Sequence, residues 1–187
     1  EKFLHGSASG GIPANTAKPI WDMIVEFAGY GFNKSHSAAY ALLAYQTAYL
    51  KVSYPIHFMA ALLTTEQANT DKVVQYINEC RGMGIKVLPP DVNESSVHFA
   101  PAGEAIRFGL AAIKGVGEGA VEAIIEARER VGVHRHLLQF CEEVQLRGGI
   151  NRKTIESLIK AGAMDALVGD RQLDAGTARA MLMAQLE

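Results

Sequence analysis

The run Asn33, Lys34, Ser35, His36 and Ser37 gathers polar side chains directly ahead of a long apolar stretch, within the segment GYGFNKSHSAAYALLAYQTAYLKVSYP at 29–55. Such residues can cap the free amides of a helix's first turn, and the same amides and donors together suit an anion such as a phosphate. Gly29 and Gly31 bracket Tyr30, as in a loop that passes close to a ligand. Residue types alone favour the plainer alternative, a capped helix with a solvated Lys34 beside it, because capping residues are far commoner than anion sites.

A second constellation is LAAIKGVGEGAVEAIIEARER at 110–130, where a short helix meets Gly115, Val116 and Gly117 before a second helix begins. This is a helix-hairpin-helix signature. Small glycines, Gly119 in the first turn among them, let a phosphodiester approach the backbone. The hairpin amides and the start of the second helix can then hold one DNA phosphate without reading bases, with Lys114 adding a charge beside the turn. The alternative is a tight helical corner whose glycines serve only packing.

Other reactive side chains form no such pattern. His134 and His136 stand as a His-x-His pair without carboxylate or cysteine company, which points to solvated surface and to no metal. The aspartates Asp22, Asp71, Asp91, Asp165, Asp170 and Asp174 are scattered, with no Asp-x-Asp pair. No residue is therefore assigned a catalytic or metal-binding role. Cys80 and Cys141 are far apart and lack Cys-x-x-Cys spacing, so neither a disulfide framework nor a zinc site is expected, and a reducing compartment fits.

The elements that must position these groups read mainly as helices. From 38 to 52 the clearly polar side chains are Gln46, Thr47 and Lys51, which predicts a helix apolar on nearly every face and buried. Ahead of it, the Gly- and Ser-rich stretch at 7–11 reads as a mobile loop. A helix capped by Asn15 or Thr16 then runs through Trp21 to Gly29. Tyr54 and Pro55 stop the long apolar helix, 56–64 gives a short apolar helix with Phe58, Met59, Leu62 and Leu63 inward, and Asn69 or Thr70 opens another that ends at Gly82 and Gly84. The texture changes at 86–108, read as short strands including a hairpin at Gly103. Beyond the glycine hairpin, LLQFCEEV is a helix, and Asn151 and Thr154 open a helix that ends at Gly162. The following AGAMDALVGD then looks like a second, degenerate hairpin. Arg152, Lys153 and Lys160 on that helix face either a phosphate backbone or plain solvent.

Composition bounds the rest. With 187 residues, 49% hydrophobic, the chain can build an ordinary core as one domain or two small ones. A net charge of −2 excludes a protein coated in basic residues, so any nucleic-acid contact is local. No run reaches the roughly 18 to 20 apolar residues of a membrane span. The start at Glu1 and Lys2, without an initiator methionine or signal peptide, reads as a piece cut from a longer chain.

The segment at 29–55, followed by VLPPDVN and then by IKGVGEGAVEAIIEAR, closely resembles the alpha subunit of bacterial DNA polymerase III, the replicative C-family polymerase. The match runs in order from about 21 to about 167. The resemblance implies a distal fingers segment at 1–105, helical with short strands near 86–108, followed by a tandem helix-hairpin-helix module at 106–187. It implies that Lys34, Ser35 and His36 contact the triphosphate of an incoming deoxynucleotide, supported by Asn33 and Tyr40. It further implies that Lys114, Gly115, Val116, Gly117 and Gly119 grip duplex primer-template DNA. Mg2+ would belong to the full-length enzyme, whose catalytic aspartates lie upstream in the palm, so the segment alone would be inactive. Partners would be the rest of the alpha chain and the replicase subunits, in the cytoplasm and without a membrane. A freestanding helix-hairpin-helix adaptor for DNA or protein is the alternative.

Overall fold

The structure is a computed structural model and describes residues 2–30, 34–145, 150–169 and 173–186. It divides into two compact units, Glu1–Tyr49 and Leu50–Glu187.

In the first unit, α1 (Lys2–Ser9) packs on α2 (Ala14–Tyr30), with the rings of Phe3 and Trp21 stacked 5.4 Å apart and Ala17 buried. The stretch at 7–11 is thus not simply a loop. Helix α1 continues through Ser9, whose hydroxyl donates to the His5 carbonyl, and Gly11 at φ +77° stops it. Helix α2 starts at Ala14, so Asn15 and Thr16 lie inside its first turn and do not cap it.

Helix α3 (Lys34–Ser53) follows, 20 residues long and running into the second unit. The expectation of burial fails here. Tyr40, Tyr45 and Val52 are 62%, 68% and 82% exposed, and Leu42 and Leu43 also face solvent. Its apolar residues are spread around the helix, so no single stripe selects one packing partner. Burying it takes neighbours on several sides, which the described residues do not supply.

The second unit continues with α4 (Pro55–Thr65) and α5 (Thr70–Gly82). Asn69 caps α5 by accepting from the Lys72 amide, and Gly84 at φ +75° turns the chain into β1 (Lys86–Leu88). Strands β2 (Ala100–Ala102) and β3 (Ala105–Arg107) form the expected hairpin around Gly103, at φ +59°. Strand β3 lies centrally, antiparallel to β2 and parallel to β1, with Ile106 opposite both Pro101 and Val87. Met59, Leu63, Cys80, Phe99 and Ile106 make a core between the sheet and the two helices.

A second core lies beyond it. After a 3-10 turn (Leu110–Ala112) come α6 (Glu118–Val131), α7 (Leu137–Gln145), α8 (Arg152–Ala161) and α9 (Ala175–Ala184). They enclose Val121, Ile124, Phe140, Leu158, Met164 and Leu182. The fold is mainly α with a three-stranded sheet. The expected boundary at 105–106 falls inside this unit, just before Phe108, which packs against both cores.

The segment at 91–95 fastens the two cores together. Ser95 is fully buried and donates its hydroxyl to the Phe108 carbonyl, while Asp91 accepts from the Asn93 amide. The Asn93 side chain exchanges two hydrogen bonds with the His134 backbone, at 2.8 and 2.9 Å, and Arg128 of α6 donates to the Ser95 carbonyl. The Val92 amide reaches the Ala163 carbonyl at 2.8 Å. Buried polar groups are thereby paired across elements far apart in sequence.

Candidate nucleic-acid interface

The glycine hairpin is built as its sequence requires, with each glycine doing a different job. Gly115 has φ +90°, a conformation that L side chains avoid, and a Cβ there would stand 2.9 Å from Ser157 Oγ. It needs to be glycine for the fold itself. Val116 turns its side chain into the core, 7% exposed, and its amide closes the turn on the Ile113 carbonyl at 3.0 Å. Gly117 is the N-cap of α6 at φ −85° and ψ 157°, ordinary extended backbone, and a Cβ there would meet nothing within 4 Å. Gly119 is equally open.

Neither internal packing nor backbone conformation therefore demands glycine at 117 or 119. What these positions leave is bare backbone at a helix start, where the amides of Glu118 and Gly119 precede the first intrahelical bonds and point outward. An approaching phosphate oxygen fits that surface by charge and by shape. Glu118 in the same turn is a negative charge that weakens the attraction, and the exposed Lys114 on the other side strengthens it.

The second, degenerate hairpin is closed by contrast. Asn151 caps α8 by accepting from the Thr154 amide at 2.8 Å, and Gly162 ends the helix in the left-handed region at φ +82°. A Cβ on Gly162 would lie 2.3 Å from the Arg179 guanidinium, which forms a two-pronged pair with Asp165 at 2.8 and 2.9 Å. This turn is a packing corner.

The other candidate residues fall as follows. Asn33 lies outside the described residues, and Lys34 and Ser35 are the first two residues of α3. His36 and Tyr40, one turn apart, bring their rings to 4.4 Å, both exposed. His136 is exposed, as expected for solvated surface. His134 is not: it is fully buried, edge-on to Phe140 at 5.3 Å, with no hydrogen-bond partner for either ring nitrogen among the described residues. Burial pushes its pKa below the ordinary imidazole value; Glu143 pulls it up and Arg128 presses it further down. Phe140 packing on the ring, with Asn93 fixing the backbone, holds this histidine inward in a way the His-x-His spacing does not show. Among the described residues no group of three or more His, Cys, Asp or Glu could hold a metal ion.

Sequence reasoning missed Ser157 as the neighbour of Gly115, and Asn93 and Ser95 as the fastening. The Asp-x-Asn-x-Ser spacing at 91–95 carries a usable signal, since Asx-type side chains bond nearby amides.

Residues 84–173 match the family described as helix-hairpin-helix motif. Along its whole length the chain is 50% identical to a DNA polymerase III subunit alpha of Thermus aquaticus, covering 14% of that protein. It is 52% identical to that of Deinococcus radiodurans over 91% of the chain, and 48% identical to that of Escherichia coli over 98%. The chain belongs to the DNA polymerase III alpha family. It spans 13 to 15% of the length of these relatives. Membership agrees with the helical architecture and the hairpin; no helix among the described residues is long and apolar enough to cross a membrane.

Proposed function

We propose that the chain works as part of a replicative DNA-directed DNA polymerase, in which α6 and its glycine hairpin hold the backbone of duplex primer-template DNA. The observation that carries this reading is the whole-chain identity of about half to polymerase alpha subunits. The bare, outward backbone at Gly117 and Gly119 supports it.

In the same reading residues 1–105 are the distal fingers and 106–187 the hairpin module. Asn33, Lys34, Ser35 and His36, with Tyr40, contact the triphosphate of the incoming deoxynucleotide at the start of α3. The apolar exposure of α3 supports its place within a larger polymerase, because a large exposed apolar surface marks a place where further protein packs. In this reading the Mg2+ that nucleotidyl transfer requires belongs to the full-length enzyme, and no bond-making step is assigned to the residues of this chain. The chain's part is binding and positioning. Its partners are the remainder of the alpha chain and the replicase subunits, in the cytoplasm, and the chain alone is inactive.

Duplex titration of wild type and Gly117→Val tests the DNA half. A side chain is compatible with the backbone at 117 and its Cβ meets nothing within 4 Å, so the variant is expected to fold, while the valine covers the phosphate approach. A lost hydrogen bond to a charged group is worth about 1.5 to 3 kcal/mol, or roughly tenfold or more in affinity. Equal affinity for two folded proteins would make the hairpin a packing corner.

A further inference from the structure

We propose that the exposed edge of α8, carried by Lys153, Ser157 and Lys160, is a second phosphate-binding surface continuous with the glycine hairpin. The inference rests on the hairpin reading above and adds the path of the duplex backbone beyond it.

Residues 153, 157 and 160 are spaced by four and three, so they share one face of the helix. Ile155, Leu158 and Ile159 take the other face into the core, which fixes the rotation of α8 and leaves both lysines exposed. Two contacts set this edge against the hairpin. Ser157 Oγ sits 2.9 Å from the Cβ position of Gly115, and Thr154 Oγ1 donates to the Gly115 carbonyl at 3.4 Å. Lys114 of the hairpin and Lys160 of α8 line one groove of about 440 Å³, with Ser157 in its wall.

The charges on this edge are available. Lys160 pairs with Glu156 at 3.6 Å, and Glu156 also takes Arg152 at 3.3 Å. Exposed pairs of this kind contribute little and exchange readily for a phosphate. Lys153 to Lys160 spans about 10 Å of helix, a length over which one duplex strand presents about three phosphates. Lys153 and Lys160 stand at the two ends of that length, and Lys114 adds a third cation from the hairpin. The second hairpin cannot supply this contact, since the Arg179–Asp165 pair fills its turn.

The test is a titration of the 187-residue chain with a 20-base-pair duplex from 20 to 200 mM salt. It compares wild type with Lys153→Gln, Lys160→Gln, the triple variant adding Lys114→Gln, and Gly117→Val, with circular dichroism on each. Lys72→Gln, an exposed lysine on α5, removes the same charge elsewhere. The expected result is that each edge lysine lowers the log–log salt slope by roughly 0.9, the triple variant by nearly three times as much, and Lys72→Gln leaves it unchanged. If Gly117→Val weakens binding while the edge variants keep the wild-type slope, the α8 edge is a solvated face and this inference is overturned with the hairpin reading intact. An equal loss in Lys72→Gln would make the effect one of net charge and overturn it too. Wild type that fails to bind at 20 mM salt, or Gly117→Val that binds like wild type, would overturn the hairpin reading itself.

Discussion

Replacing His134 by leucine should stabilise the protein and remove part of its acid sensitivity. The imidazole is buried with both ring nitrogens unbonded among the described residues, and each unsatisfied buried polar group costs about 1 to 3 kcal/mol. Leucine comes close to it in volume and suits the face of Phe140, so a gain of about 1 to 3 kcal/mol is expected, offset in part by imperfect packing. The sign of the pH effect follows from the depressed pKa. Above about pH 6.5 the imidazole is neutral in both folded and unfolded chains and contributes no pH dependence. Below it, the unfolded chain binds a proton that the folded form resists. Stability therefore falls by up to ~1.4 kcal/mol per pH unit until the folded pKa is reached. Urea unfolding of wild type and His134→Leu at pH 7.5, 6.5 and 5.5 measures both effects. A variant less stable than wild type at pH 7.5, or one with the same loss between pH 6.5 and 5.5, would refute the argument.

Asn93→Ala removes both hydrogen bonds to the His134 backbone and should cost about 1 to 3 kcal/mol, seen as a lower urea midpoint with an unchanged slope. Gly119→Ala introduces a methyl that meets nothing and a better helix former, so the protein should gain about 0.5 to 1 kcal/mol while duplex affinity drops; a gain in both would argue against a phosphate at this turn.

Much of the second unit was legible because local chemistry and tertiary packing agree there. Asn69 and Asn151 cap α5 and α8 as their spacing predicts, Gly162 ends α8 in the left-handed region, and Gly103 turns the hairpin between β2 and β3. The glycine hairpin was legible for the same reason, although which glycine the backbone needs was not. That depends on Ser157, 42 residues beyond Gly115 in the chain, and on a φ value that composition does not reveal. Burial was misread where it depends on long-range partners. The apolar run of α3 looks like core and is exposed, whereas His134 looks like surface and is buried behind Phe140. Helix α1 was missed because its Gly- and Ser-rich end resembles a linker, while the Phe3–Trp21 stack that holds it is a contact between residues 18 apart. The 91–95 fastening escaped notice because its partners, Phe108, Arg128, His134 and Ala163, are distributed over four later segments.

If Lys34 contributes a nucleotide contact to the polymerase, its loss shows in primer-extension kinetics. Steady-state primer extension by the full-length polymerase, titrated separately in deoxynucleotide and in primer-template, compares wild type with Lys34→Ala. Loss of a charge-assisted phosphate contact worth about 1.5 to 3 kcal/mol predicts at least a tenfold fall in kcat/KM for the nucleotide, with the primer-template constant unchanged. Nucleotide kinetics equal to wild type within error, in a folded enzyme, would contradict the account.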